Sequence, residues 1–364
     1  MRSWTDWAAE ESRSIRTAGQ WREIRDFEPG GPVVSFASND YLGLTRHRAV
    51  VAAAHEALGR WGAGAGAARL VVGSRAVHSE LERALAGWKQ EEAALLFPTG
   101  YSANLGVLTT VAGRGARILS DQYNHASIVD ACRLSAAQVS VYRHADTDHV
   151  CQLLNESDAP TVVVTDTVFS MGGDVAPVDA LAELCAASGA LLVVDEAHAV
   201  VGPDPVLDGI EHLRVGTLSK FLGSLGGFVA GAQPLIDLVV NRARPFIFTT
   251  APTPADAAAA LAALTVLRSP EGERLKTRLR EHVDRVAPGH PSPIIPVILR
   301  DENEAMRAAA TLYERGLLVP AIRPPTVPSG TSRLRVTLSA VHTDEQVDQL
   351  VVALSDLGLV THAS

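Results

Sequence analysis

Residues 216–231 read GTLSKFLGSLGGFVAG. Thr217 stands three positions before a lone lysine, Lys220. Glycines crowd the far side at Gly223, Gly226 and Gly227, and the apolar run Phe228-Val229-Ala230 follows. A lysine set among glycines has room for a bulky partner against the backbone. Upstream, residues 190–198 read ALLVVDEAH, an apolar strand that ends on Asp195. Taken alone, the first segment also describes a surface lysine in a Gly-rich loop. The segments around it decide between the two readings.

Working outward, strand and helix patterns alternate. Residues 161–174, TVVVTDTVFSMGGD, read as a buried strand that exits at Ser170, and a helix spans about 178–188. Strand–helix–strand at this rhythm means right-handed crossovers and a parallel sheet. ARILSDQYNHAS places a strand end at Asp121 and opens a helix at His125, a position that faces the ligand crevice of such a sheet or caps the helix. ALLFPTGYSANLGVLTTVA, residues 94–112, reads as strand, turn and helix. The free amides at the start of that helix suit a phosphate. WGAGAGAARLVVG lacks GxxxxGK[ST] and follows a helix read over 48–61, so it matches neither common phosphate-loop fingerprint. The fold expected is α/β, with an N-terminal helix and arm over 1–45, a large domain over 46–240 and a smaller α+β domain over 241–364. The latter holds PIIPVIL, the helix ENEAMRAAATLYERG and the strands LLVPAIR and SRLRVTL.

Composition excludes several classes. The 364 residues carry 47% hydrophobic and 20% charged side chains, ordinary values for a globular enzyme, and a net charge of −9 advertises no face for nucleic acid. Cys132, Cys151 and Cys185 have no metal-ligand spacing and read as reduced thiols in the core or on helices. The charged start, MRSWTDWAAEESRSIR, has no apolar signal region, and no apolar run reaches the roughly 18 residues that cross a bilayer. A cytoplasmic enzyme with no membrane partner is expected.

Lys220 and Asp195 together suit pyridoxal phosphate (PLP). A free lysine is neutral in only about one molecule in 10³ at pH 7, but one engaged as a Schiff base is already covalently held, and exchange with an amino acid substrate frees it beside the Cα proton. A carboxylate against the ring nitrogen keeps it protonated, and the charged ring is an electron sink. His125 fits a plate over the ring face, and His198 a donor to the phenolic oxygen. Gly100, Tyr101 and the Thr217 hydroxyl fit the phosphate.

The ordered motifs SNDYLG, TGY, NHAS, FSMGGD, VDEAH and TLSK resemble the α-oxoamine synthase family of fold-type I PLP enzymes, over residues 33–345. That resemblance implies a large domain built on a mostly parallel seven-stranded sheet between helices, plus the smaller C-terminal domain. It also implies a transferase that condenses an amino acid with an acyl thioester and releases CO₂. AIRPPTVPSGTSRLRVTL, residues 321–338, is similar to the biotin-pathway member, which joins L-alanine to a pimeloyl thioester carried by coenzyme A or an acyl carrier protein. By position, it implies Lys220 as the Schiff-base lysine, Asp195 at the ring nitrogen and His125 on the ring. Ser170 and His198 would lie near the phenolic oxygen, and Gly100, Tyr101 and Thr217 at the phosphate. Arg22, Asn39, Arg323 and Thr326 would surround the substrate. Thr249 and Thr250 would reach the phosphate of a neighbouring subunit, which implies a homodimer with shared sites and no metal. For Arg323 the residues themselves add that Pro324 and Pro325 stiffen the following backbone, and that a guanidinium fork suits a carboxylate.

Three features depart from the family. Ala199 replaces its glycine after the histidine, Ala68 replaces its serine before the arginine, and the 200–215 loop is shorter. Two other readings stay open at this point. One keeps the chemistry with glycine and acetyl-CoA or another acyl donor; the other is a catalytically silent binding subunit.

Overall fold

The computed structural model describes residues 3–28, 30–201 and 204–359. The chain begins with α1 (Trp4–Thr17), β1 (Val34–Ser35), α2 (Arg48–Trp61) and α3 (Ala76–Lys89). It continues through β2 (Ala93–Phe97), α4 (Gly100–Val111), β3 (Arg117–Asp121), α5 (Ala126–Leu134), β4 (Gln138–Tyr142) and α6 (Thr147–Asn155). Next come β5 (Thr161–Asp166), α7 (Val178–Ser188), β6 (Leu191–Asp195), β7 (His212–Thr217), β8 (Gly227–Gly231), α8 (Gln233–Arg242), α9 (Arg244–Ile247) and α10 (Pro254–Leu267). The C-terminal part holds α11 (Pro270–Val286), β9 (Ile294–Arg300), α12 (Glu302–Glu314), β10 (Leu317–Leu318), β11 (Ala321–Ile322), β12 (Ser332–Thr337) and α13 (Asp344–Asp356).

Seven strands form one sheet in the order β2-β8-β7-β6-β5-β3-β4. All run parallel except β8, which is antiparallel to both of its neighbours. Val162, Val164, Val193 and Val215 pack on one face with α4 and α5, while Val163, Leu192 and Val194 pack on the other with α6 and α7. A sheet covered on both faces needs continuous apolar strands, and β5 is buried at all six positions. The smaller three-stranded sheet, β11-β12-β9, is antiparallel and shares a third cluster with α10, α11, α12 and α13.

Several sequence-based expectations shift. The strand expected to exit at Ser170 ends at Asp166, where its neighbour β6 also turns off. LLVPAIR is two two-residue strands rather than one, because Pro320 has no amide to donate between them. Residues 69–73, after the Gly-rich loop, wind into a π-helical turn closed by Gly73 N–H donating to Ala68 O at 3.0 Å. In the 200–215 loop, which the sequence marks as short, Gly202 and Pro203 lie outside the described residues. No helix among the described residues is long and apolar enough to cross a membrane.

Candidate active site

The carboxyl ends of β5, β6 and β7 meet above the sheet. Asp166 and Asp195 are register partners on adjacent strands, and Thr217 closes β7. In open α/β sheets this edge is where ligands bind. The turn after Thr217 carries Lys220 and is held by glycines. Gly223 sits at φ +59°, and a Cβ there would meet the Leu44–Thr45 backbone at 2.5 Å. Only glycine permits both that conformation and that approach.

Lys220 Nζ lies 2.8 Å from His198 Nε2, and His198 Nδ1 lies 2.5 Å from Tyr41 Oη. Tyr41 is fully buried and its hydroxyl donates to Asn39 Oδ1 at 3.3 Å. Burial pushes the His198 pKa well below its ordinary value, and the charges of Lys220 and Arg335 add to the effect. Burial also lowers Lys220, against the pull of Asp195 and Asp166. Among the described residues no carboxylate lies within ion-pair distance of Lys220. A half-buried amine facing a neutral imidazole is poised to lose its proton.

Asp195 is buried and held in place. Its Oδ2 accepts from Asn104 Nδ2 at 2.6 Å and its Oδ1 from the Ala197 amide at 2.9 Å. Asp166 Oδ2 accepts the His125 amide at 2.7 Å and so fixes the start of α5. Burial, then the charge of Asp195, push the Asp166 carboxyl well above the usual carboxylate range. His125 opens onto the cleft with Nδ1 2.7 Å from Ser127 Oγ. Its pKa is lowered by desolvation first; Asp195 opposes this and Lys220 adds to it.

At the start of α4, Thr99 and Ser102 cap each other reciprocally. The Gly100 and Tyr101 amides find no acceptor among the described residues. A Cβ on Gly100 would meet the Thr217 Cβ at 3.2 Å, so the cradle is closed on that side by the Thr217 side chain. Two free amides at a helix N-terminus suit a phosphate dianion. With an amine of depressed pKa and a buried carboxylate beyond it, this donor set fits PLP.

The other residues singled out from sequence divide. Asn39 belongs to the site through Tyr41 and Arg335. Ser170 contributes its carbonyl, which accepts from Arg335 Nε at 2.6 Å. Arg323 turns the other way, donating to Trp21 O at 3.2 Å, and with Arg22 it lines a separate cavity of about 870 Å³. Thr326 borders that cavity and a second one beside the site. Thr249 and Thr250 lie near the surface between α9 and α10, next to Ala251, whose amide donates to Ala67 O at 3.0 Å.

Sequence reasoning missed Arg335, Tyr41, Asn104 and Asp166. Arg335 is 5% exposed, and its Nη2 donates to Asn39 Oδ1 at 3.1 Å. Its signal was present: a charge in a strand between Leu334 and Val336, both fully buried, faces something other than open water. Asp166 gave no such signal, since its carboxyl is pushed up first by its burial in the fold and then by Asp195, 29 residues away in the chain (195 − 166 = 29).

The family model of the aminotransferases of class I and II matches residues 31–354. The chain is 48% identical over 382 aligned residues to 8-amino-7-oxononanoate synthase of Anaeromyxobacter dehalogenans, covering 96% of this chain and 95% of the relative. The Paraburkholderia xenovorans protein of the same name is 44% identical over 353 residues, 90% of each chain. Among solved structures, the serine palmitoyltransferase of S. paucimobilis with bound PLP-myriocin aldimine superposes with a TM-score of 0.90. It is 29% identical, with 98% of this chain and 100% of that one covered. The 8-amino-7-oxononanoate synthase of Francisella tularensis gives 0.75 at 25% identity, over 90% and 98%. The chain belongs to the class I and II aminotransferase family of PLP-dependent enzymes and, within it, to the 8-amino-7-oxononanoate synthases.

Proposed function

We propose that this acyltransferase joins L-alanine to a pimeloyl thioester, carried by coenzyme A or an acyl carrier protein. The products are 8-amino-7-oxononanoate, CO₂ and the free thiol, a step of biotin synthesis in the cytoplasm. The observation that carries the reading is the convergence of Lys220, Asp195, His198 and Arg335 at one sheet edge, in a chain with these relatives.

Bound PLP supplies an electron sink for negative charge developing at the amino acid Cα. Lys220 would hold it through Nζ, and its amine, lowered in pKa by burial, is placed to move a proton on and off Cα. Asp195 keeps a proton at the ring nitrogen, and Asn104 with the Ala197 amide keeps the carboxylate aimed there. His125 covers the ring face. The Gly100 and Tyr101 amides and the Thr217 hydroxyl hold the phosphate. Arg335, anchored on Ser170 O and Asn39, presents a guanidinium fork to the amino acid carboxylate. Arg22 and Arg323 lie further out, where the acyl carrier arrives, and Thr326 stands between their cavity and the one beside the site.

The same reading makes the protein an isologous homodimer in which Thr249 and Thr250 complete the partner's phosphate site. It divides the chain into an arm over 1–45, a cofactor-binding domain over 46–240 and a smaller domain over 241–364. Incubation with L-alanine and pimeloyl-CoA tests the reading by mass. 8-Amino-7-oxononanoate is expected, and product from glycine and acetyl-CoA in its place would overturn it.

A further inference from the structure

Arg333 and Arg335 stand two residues apart on β12, so their side chains leave the same face about 7 Å apart. Both reach the same loop: Arg335 Nε donates to Ser170 O at 2.6 Å and Arg333 Nη1 to Met171 O at 3.3 Å. Beyond Arg335, Arg333 lines a cavity of about 550 Å³ walled by Tyr123, Phe169, Met171 and Val327. The cavity starts beside the reacting centre, since its lining residue Asn124 precedes His125 and Met171 follows Ser170. Its walls mix apolar side chains with polar ones, among them Gln122, Asp174 and Ser329, and Arg333 brings the one guanidinium.

That guanidinium has no carboxylate within ion-pair distance among the described residues. The acid facing it is Asp174, and Asp174 is already engaged: His144 Nε2 lies 2.6 Å from its Oδ2, and His144 Nδ1 lies 3.0 Å from Asp121 Oδ1. Burial works against a charged His144, yet its two carboxylate partners push its pKa up to about 9, so the imidazolium offsets Asp174 at neutral pH. Arg333 is left with two carbonyls, of Met171 and Thr331, as acceptors.

We propose that this cavity takes the acyl chain of the thioester and that Arg333 binds a free carboxylate at its far end, so that the enzyme selects a dicarboxylic acyl donor. The proposal rests on the function proposed above and names the group that sets its acyl specificity.

The test is calorimetric binding of pimeloyl-CoA and heptanoyl-CoA, which lacks the terminal carboxylate, to the PLP-loaded enzyme without amino acid. The wild type should prefer pimeloyl-CoA by about 10–100-fold, the range of one charge-assisted contact. Arg333→Gln should abolish that preference while leaving heptanoyl-CoA affinity unchanged, which also shows that the variant is folded. Arg333→Lys should restore part of it. A preference that persists in Arg333→Gln, its absence in the wild type, or equal weakening of both ligands would overturn the assignment. Product analysis judges the underlying function separately. Product formed from pimeloyl-CoA with the preference intact in Arg333→Gln sinks Arg333 alone, whereas no product sinks the functional reading.

Discussion

Lys220 Nζ lies 2.8 Å from His198 Nε2, and the opposite ring nitrogen lies 2.5 Å from the Tyr41 hydroxyl. For Nε2 to accept from the lysine, the ring proton must sit on Nδ1, where Tyr41 accepts it and donates onward to Asn39 Oδ1. Tyr41→Phe leaves that N–H buried without an acceptor. The expected cost is about 1–3 kcal/mol of stability, read as a lower urea midpoint at constant slope. An unchanged midpoint would show that the chain of hydrogen bonds does not hold the site.

The two aspartates at the ends of β5 and β6 should behave oppositely. Asp195→Asn removes the charge at the ring nitrogen, and kcat should fall by about 10²–10³-fold, as when one preorganised electrostatic partner is lost. Asp166 is pushed toward its neutral form by burial and by Asp195, and an amide oxygen can still accept the His125 amide. Asp166→Asn should therefore cost less than about tenfold, roughly one hydrogen bond's worth. Steady-state kinetics of both variants decides, and equal losses would mean that both carboxylates act as charges.

Arg335 should govern amino acid binding. Replacing it with lysine keeps the charge but loses the fork. KM for alanine should rise about 10–100-fold, with a smaller change in kcat. A fall in kcat at constant KM would assign Arg335 to the chemistry instead of to positioning.

Two histidines, His342 buried and His144 half-buried, predict the pH profile of stability. His342 Nδ1 accepts the Ser339 amide at 3.1 Å, and burial pushes its pKa down to about 4. The unfolded chain takes up that proton near pH 6.5, so stability is lost as pH falls from 6.5 towards 4, by about 3 kcal/mol for this group. His144 has the opposite sign. Raised to about 9, it contributes stability that is full below pH 6.5 and lost as pH rises through 9. Urea unfolding of His342→Gln should show a flatter acid limb than wild type, and an identical limb would contradict the assignment.

Much of this site was legible from sequence because its residues occupy strand ends. Asp195, Thr217 and His125 follow apolar runs whose period and length mark where the chain leaves the sheet, and glycines mark the space beside Lys220. What stayed hidden depends on side-chain direction and on neighbours remote in sequence. Arg323 drew attention because prolines stiffen its backbone, but its side chain points to Trp21 O, while strand alternation on β12 aims Arg335 and Arg333 at the Ser170–Met171 loop. The reversed direction of β8 was equally invisible, because an apolar strand of five residues reads the same either way.

The central claim is a covalent link between PLP and one amine, and the direct measurement is mass analysis of proteolytic peptides after borohydride reduction of the holoenzyme. The account predicts a pyridoxyl adduct on Lys220, absent from Lys220→Ala. An adduct on another lysine, or none on Lys220 in enzyme that retains bound PLP, would contradict it.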